Sequence, residues 1–97
     1  MLFRIVKMEF APEKAAEFME LFKNTRSKIA SFDGCKSLEL LNDIEHSNVF
    51  FTHSTWESEQ HLENYRNSEL FKDTWSKTKA MFNGKPQAWS MKGVESL

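Results

Sequence analysis

The segment Val49–Trp56, which reads Val-Phe-Phe-Thr-His-Ser-Thr-Trp, most constrains what this chain can fold into. Its β-branched and aromatic residues predict a strand. Successive side chains of a strand point to opposite faces, so Val49 and Phe51 oppose Phe50 and Trp56. A strand that is apolar on both faces belongs in a sheet that is covered on both sides.

The remaining elements follow from hydrophobic spacing and from turn residues. Further strands are predicted at Leu2–Phe10, Cys35–Leu41 and Gln87–Val94. Apolar residues at steps of three and four predict one helix from Pro12 to Ser31. A second helical region contains Leu62 and Tyr65, pauses at Asn67-Ser68, where Ser68 can act as a cap, and resumes from Phe71 to Phe82. The order β-α-β-β-α-β predicts a single α+β, ferredoxin-like domain over residues 1–97, with an antiparallel sheet and helices on one face.

The outer strands of this sheet are also apolar on both sides. On the first strand Phe3 and Ile5 lie on one face, and on the last strand Trp89 and Met91 do so. Each strand has a second apolar row on its opposite face. The opposing rows are Leu2, Val6, Met8 and Phe10 on the first strand, and Ala88 and Val94 on the last. Because helices cover only one face, we expect a homodimer in which a second copy covers the other sheet face. A monomer with a wet, moderately apolar sheet is the alternative.

Composition excludes several classes of function. With 13 Lys and Arg against 14 Asp and Glu, the chain has no broad electrostatic attraction to nucleic acid or an anionic membrane. One Cys cannot build a disulfide framework or a thiolate metal site. No signal-peptide pattern and no apolar run of about 20 residues is visible. We therefore expect a soluble, cytoplasmic protein.

A longer motif begins within the third strand. The stretch from Phe50 to Leu62 (Phe-Phe-Thr-His-Ser-Thr-Trp-Glu-Ser-Glu-Gln-His-Leu), followed by Tyr-Arg-Asn-Ser-Glu-Leu-Phe at 65–71, resembles the antibiotic biosynthesis monooxygenase (ABM) family. Members have an aromatic strand that ends in Trp, an acidic helix start and a helix that reads roughly His-x-x-Ser-x-x-Phe. The resemblance covers essentially the whole chain and implies a dimeric α+β barrel.

The resemblance implies more than one possible activity. Some members oxidise phenolic or hydroquinone-like compounds with O2 and need no cofactor, another branch degrades haem, and a third acts on small signalling ketones. The chain departs from the family at Tyr65, where members often have His. Positions that resemble the Asn, Trp and His of the haem-degrading branch hold Val6, Tyr65 and Trp75. An indole N–H only donates and cannot bind iron, so haem degradation is not expected.

Two residues are candidates for catalysis. Tyr65 occupies the family's His position and could donate to or accept from a substrate oxygen; the alternative is a core tyrosine with a bonded hydroxyl. His61 precedes Tyr65 by one helical turn and could act as a base. Its alternative is a surface histidine paired with Glu57.

A pocket for a small aromatic molecule is predicted along the same elements. Its predicted lining residues are Val6, His53, Trp56, Phe71 and Trp75, although apolar residues at helical spacing also suit a plain core. The direction of His53 depends on strand register, and the dimer interface is its alternative location. Arg66 and Lys72 are interpreted as solvated helix charges, and no metal site or cofactor is expected.

These features lead to one main hypothesis and two alternatives. The main hypothesis is a monooxygenase that uses O2 to oxidise a small aromatic or quinol-like compound without a cofactor. A non-catalytic binding or stress-response dimer with the same barrel is the first alternative. An isomerase or degradative enzyme for a small metabolite is the second.

Overall fold

Four strands form one antiparallel sheet in the computed structural model, which describes residues 1–96. They are β1 (Leu2–Glu9), β2 (Cys35–Asn42), β3 (Val49–Trp56) and β4 (Gln87–Lys92), in the order β2-β3-β1-β4. A 3-10 turn (Pro12–Lys14) and α1 (Ala15–Ala30) connect β1 to β2. The helices α2 (Glu59–Arg66) and α3 (Glu69–Lys79) connect β3 to β4. The predicted ferredoxin-like α+β fold is confirmed.

The register of the central strands decides which side chains share a face. Val6 of β1 pairs with Thr52 of β3, and both side chains lie on the face that the helices cover. Ile5 pairs with His53 on one side and with Trp89 on the other. These three residues alternate with the first pair, so they lie on the opposite face, called here the open face.

Two apolar clusters hold the helices against the sheet. The larger one contains Met8, Phe10, Phe18, Phe50 and Met81, and the smaller one Leu2, Trp56 and Leu62. At the centre of the first, the rings of Phe10 and Phe18 stack with their centroids 4.1 Å apart. Burying such a side chain contributes about 1.5–3 kcal/mol, so these clusters hold α1, through Phe18, and α2, through Leu62, against the sheet.

Two predicted element ends are wrong. The last helix ends at Lys79, and Phe82 instead forms an isolated β-bridge with Phe10, because its ring packs 5.3 Å from that of Phe10. The last strand ends at Lys92, which pairs with Leu2, the first residue of β1. Beyond that pair β1 offers no further partner, and Val94 is 89% exposed.

Local signals set the other boundaries of the helices. The hydroxyl of Ser68 accepts a hydrogen bond from the Phe71 backbone N–H (3.1 Å), so the predicted cap is confirmed. Ser58 caps α2 in the same way, through the backbone N–H of His61 (3.2 Å). Between α1 and β2, Gly34 has a φ of +90°, a conformation that glycine adopts without strain.

The open face carries a row of apolar side chains. Leu41, Trp89 and Met91 are 45%, 43% and 45% exposed, and three half-buried residues, Phe3, Ile5 and Phe51, lie between them. Nothing within residues 1–96 covers this row. No helix in the described part of the chain is long and apolar enough to span a membrane.

Candidate functional site

A cavity of about 290 Å³ lies between the helices and the covered face of the sheet. The strands supply its floor, which includes Val6, Leu38 and Thr52, and the three helices supply its walls. Most of the lining is apolar, and six aromatic side chains contribute to it. These are Phe18, Phe22, Trp56, Tyr65, Phe71 and Trp75. A largely apolar cavity with few polar groups is typical of a small-molecule site.

Four of these aromatic residues form one continuous wall. Trp56 stacks on Tyr65 with centroids 5.0 Å apart, and Tyr65 meets Phe71 edge to face at 5.2 Å. Phe71 then stacks on Trp75 at 5.8 Å, with an interplanar angle of 15°. We call these residues the aromatic wall. The fold therefore brings together in one cavity the catalytic candidate Tyr65 and four of the predicted lining residues, namely Val6, Trp56, Phe71 and Trp75.

The indole of Trp56 is held rigidly. It is 1% exposed, and its Nε1–H donates to the hydroxyl of Ser54 at 3.0 Å. The serine is itself buried, so the polar ends of both side chains are satisfied within the protein. Trp56 therefore presents an apolar surface to the cavity.

Tyr65 combines burial with a free hydroxyl. Burial, with a smaller effect from the neighbouring Cys35 thiol, raises the pKa of Tyr65 to about 12. Within residues 1–96 the Tyr65 hydroxyl makes no side-chain hydrogen bond. Every fully buried polar side-chain atom in that range does have a partner, so this hydroxyl is not one of the fully buried atoms. The hydroxyl oxygen therefore remains accessible, and it is neutral at physiological pH. It can donate a hydrogen bond to a ligand, but it is a poor base.

His61 lies outside the cavity lining, although it shares α2 with Tyr65. Its Nδ1 is 2.7 Å from the Ser58 hydroxyl. Its Nε2 lies 3.8 Å from a Glu57 carboxylate oxygen and 3.9 Å from one of Asp33. The pairing with Glu57, which is the alternative role given above for His61, is therefore present. The structure does not bring His61 into the cavity.

The prediction that His53 lines the pocket is wrong. His53 pairs with Ile5 and Glu39 on the open face, and the sheet separates it from the cavity. Its ring stacks on that of Phe3 at 6.2 Å, and Nδ1 lies 3.7 Å from the Glu39 carboxylate. The strand register, which the sequence does not reveal, places His53 on the side opposite to Val6.

Two arginines line the cavity and were not predicted to do so. Arg4 lies on β1 between Leu2 and Val6, and its Nη1 donates to Ser90 Oγ at 2.9 Å. Arg66 ends α2 and was interpreted as a solvated charge; it is half-exposed but also lines the cavity. The sequence did carry a signal for Arg4, because it is the charged residue in an otherwise apolar row of β1 side chains. Nothing in the sequence distinguished Arg66.

The described residues contain no obvious metal site. Within residues 1–96 no group of three or more His, Cys, Asp or Glu side chains lies close enough to hold a metal ion. Cys35 is half-buried, and burial raises the pKa of its thiol. The thiol is therefore a weak nucleophile at neutral pH.

The fold and its cavity define a class of protein: a ferredoxin-like α+β protein with an aromatic cavity between helices and sheet. The sequence profile of the antibiotic biosynthesis monooxygenase family matches residues 1–76. The chain belongs to this family. None of the curated proteins matches its sequence.

Solved structures agree with the fold. A crystal structure of an antibiotic biosynthesis monooxygenase is similar with a TM-score of 0.92 and 19% identity, over 98% of this chain and 100% of that one. A conserved protein from Methanosarcina mazei Go1 has a TM-score of 0.90 and 21% identity, over 97% and 94%. Rv0793 from Mycobacterium tuberculosis has a TM-score of 0.89 and 13% identity, over 98% and 96%. At such identities the likeness concerns the fold alone.

Proposed function

We propose that this protein is a monooxygenase that oxidises a small aromatic, quinol-like compound with O2, without a metal or organic cofactor. Membership of the antibiotic biosynthesis monooxygenase family supports an oxidation. The observation that carries the substrate class is the aromatic wall, Trp56-Tyr65-Phe71-Trp75, on one side of an apolar cavity of about 290 Å³. Such a wall suits a planar aromatic ring.

The proposed reaction converts a phenol with a free para C–H into a quinone. The ionised phenol gives its electrons to O2; one oxygen atom becomes the new carbonyl oxygen, and the other leaves as water with two protons. The substrate loses two hydrogens and supplies all four electrons, so no external reductant is needed. The protein contributes binding, orientation and exclusion of water.

Tyr65 is proposed to donate a hydrogen bond to the substrate phenolate. With a pKa of about 12 its hydroxyl keeps its proton at neutral pH, and its oxygen is accessible. No Asp, Glu or His lies among the described residues that line the cavity. The substrate proton is therefore expected to leave to solvent, and suitable substrates are phenols that ionise readily.

The same shortage of bases favours one alternative function. A cavity that binds an aromatic molecule without turning it over would need no base, as in a binding or stress-response protein. Oxygen uptake separates the two possibilities. Metal-free, flavin-free protein is given a panel of simple and polycyclic phenols that have a free para C–H, with an uptake blank for each compound.

Quinone formation matched one to one by O2 uptake, without release of H2O2, supports the monooxygenase. A Tyr65→Phe variant is then expected to lose about tenfold in kcat/KM, as for removal of one hydrogen bond to a charged oxygen. Protection against thermal unfolding without uptake supports the binding protein. Turnover of a ketone under anaerobic conditions would instead support an isomerase.

A homodimer through the open face forms part of the proposal. Its apolar row, which includes Trp89 and Met91, is large for a monomer surface, and an identical row on a second copy can cover it. Light scattering tests this with Met91→Lys. Met19→Lys is the matched control, because Met19 is 47% exposed on α1, away from the open face. We expect only Met91→Lys to give a monomer.

A cytoplasmic location stays a prediction.

A further inference from the structure

The distribution of arginines in this chain is uneven. Two of its three arginines, Arg4 and Arg66, line the apolar cavity, and no Asp or Glu lines it among the described residues. The third, Arg26, is exposed on α1 and does not line the cavity. The cavity lining therefore carries two positive charges and no negative charge of its own.

The surroundings leave most of this charge uncompensated. Among residues 1–96, Arg4 makes one side-chain hydrogen bond, to the neutral Ser90 hydroxyl, although a guanidinium has five N–H donors. Burial and the charge of Arg66 both lower the pKa of Arg4, and Glu63 opposes them. The Glu63 carboxylate is 3.7 Å from Arg66 Nη1 and is half-exposed. One solvated carboxylate thus faces two guanidinium groups.

We propose that Arg4 and Arg66 form an anion subsite that binds the carboxylate of an aromatic carboxylic acid, while its ring lies on the aromatic wall. This inference rests on the proposed function, because it takes the cavity as the substrate site. Guanidinium groups match the planar carboxylate with paired hydrogen bonds, which favours this anion. Arg4 lies on the sheet floor and the half-exposed Arg66 at the end of α2, and the acid group is held between them.

The subsite also gives the proposed reaction a determinant of specificity. Two positive charges beside the aromatic wall favour a substrate that is anionic before it reacts, and they stabilise further negative charge on its ring oxygen. The favoured substrates are therefore hydroxylated aromatic acids rather than neutral quinols. The preference for an acid in binding can be measured separately from any oxidation by the protein.

Calorimetric titration of the intact protein with two planar probes tests the subsite. The probes are 2-naphthoate and its neutral isostere 2-naphthamide, neither of which is a phenol, so binding is measured without turnover. We expect 2-naphthoate to bind at least about tenfold more tightly than the amide at low salt. Arg66→Gln is expected to remove most of this preference, because it should weaken 2-naphthoate much more than 2-naphthamide.

Matched variants make the test decisive. Arg26→Gln, the same substitution outside the cavity, is expected to bind both probes as the original protein does. Arg4→Gln should act like Arg66→Gln; if it does not fold, the half-exposed Arg66 alone decides. Equal affinity for acid and amide, equal weakening of both by Arg66→Gln, or binding of neither probe would each overturn the subsite.

The outcomes also separate this inference from the proposed function. Acid-selective binding by a protein that consumes no O2 with any phenol keeps the subsite and removes the monooxygenase. Oxidation of neutral phenols to quinones without any preference for the acid keeps the monooxygenase and removes the subsite.

Discussion

The ionisation of Tyr65 offers a direct test of how the cavity is built. Burial raises the pKa of this phenol from 10.0 to about 12 in the folded protein. Each pKa unit corresponds to about 1.4 kcal/mol, so the folded state opposes ionisation by about 3 kcal/mol. The protonated phenol is favoured by folding. Its contribution to the free energy of unfolding is therefore complete below about pH 10 and is lost as the pH rises from 10 to 12.

Tyrosinate absorbance measures this ionisation cleanly, because Tyr65 is the single tyrosine of the chain. We expect a midpoint near 12 in the folded protein and about 10 in concentrated guanidinium chloride. Tyr65→Phe provides the control for stability, since it retains every Lys, Arg and Cys. The difference in unfolding free energy between the original protein and this variant should be constant below pH 10 and then fall by about 3 kcal/mol.

One result would refute this reasoning. If tyrosinate formed with a midpoint near 10 while the near-ultraviolet circular dichroism stayed native, the phenol would be freely hydrated in the folded state. The cavity would then be open to water at its aromatic wall.

Three further predictions concern stability, each measured by urea unfolding. Phe10→Ala removes a ring that is 0% exposed and should cost about 3–5 kcal/mol; a loss under about 1 kcal/mol would contradict the assigned core. Ser68→Ala should cost about 1 kcal/mol through loss of the cap, whereas Ser76→Ala, exposed within the same helix, should not destabilise. Gly34→Ala should cost more than about 1 kcal/mol, because φ is +90° and the new Cβ would meet the His61 ring; unchanged stability would argue against this turn.

Much of the fold could be predicted because it depends on local patterns. The bounds of β3 follow directly from its run of β-branched and aromatic residues between polar turns. The alternation in β1 correctly separated Ile5 from Val6, and the Ser68 hydroxyl marked the start of α3. These features need no knowledge of which elements meet in space.

The site could be predicted only in part, because a cavity depends on distant contacts. The aromatic wall joins residues of β3, α2 and α3, and the family resemblance located these. The side of the sheet on which His53 lies depends on register with β1, to which no local pattern points. In the sequence Arg66 resembles any charged residue at a helix end. Its role at the cavity becomes visible only when the fold brings α2 close to Arg4. Pairing across elements, rather than composition, decided each of these cases.

The three tryptophans lie in three different environments, and each can therefore report on a different event. Trp56 is sealed in the core at 1% exposure, Trp75 faces the cavity, and Trp89 is 43% exposed on the open face. Variants that keep one indole at a time would give separate fluorescence signals. Trp75 would sense a bound ligand, Trp89 would sense a second copy against the sheet, and Trp56, the most deeply buried of the three, would change most when the chain unfolds.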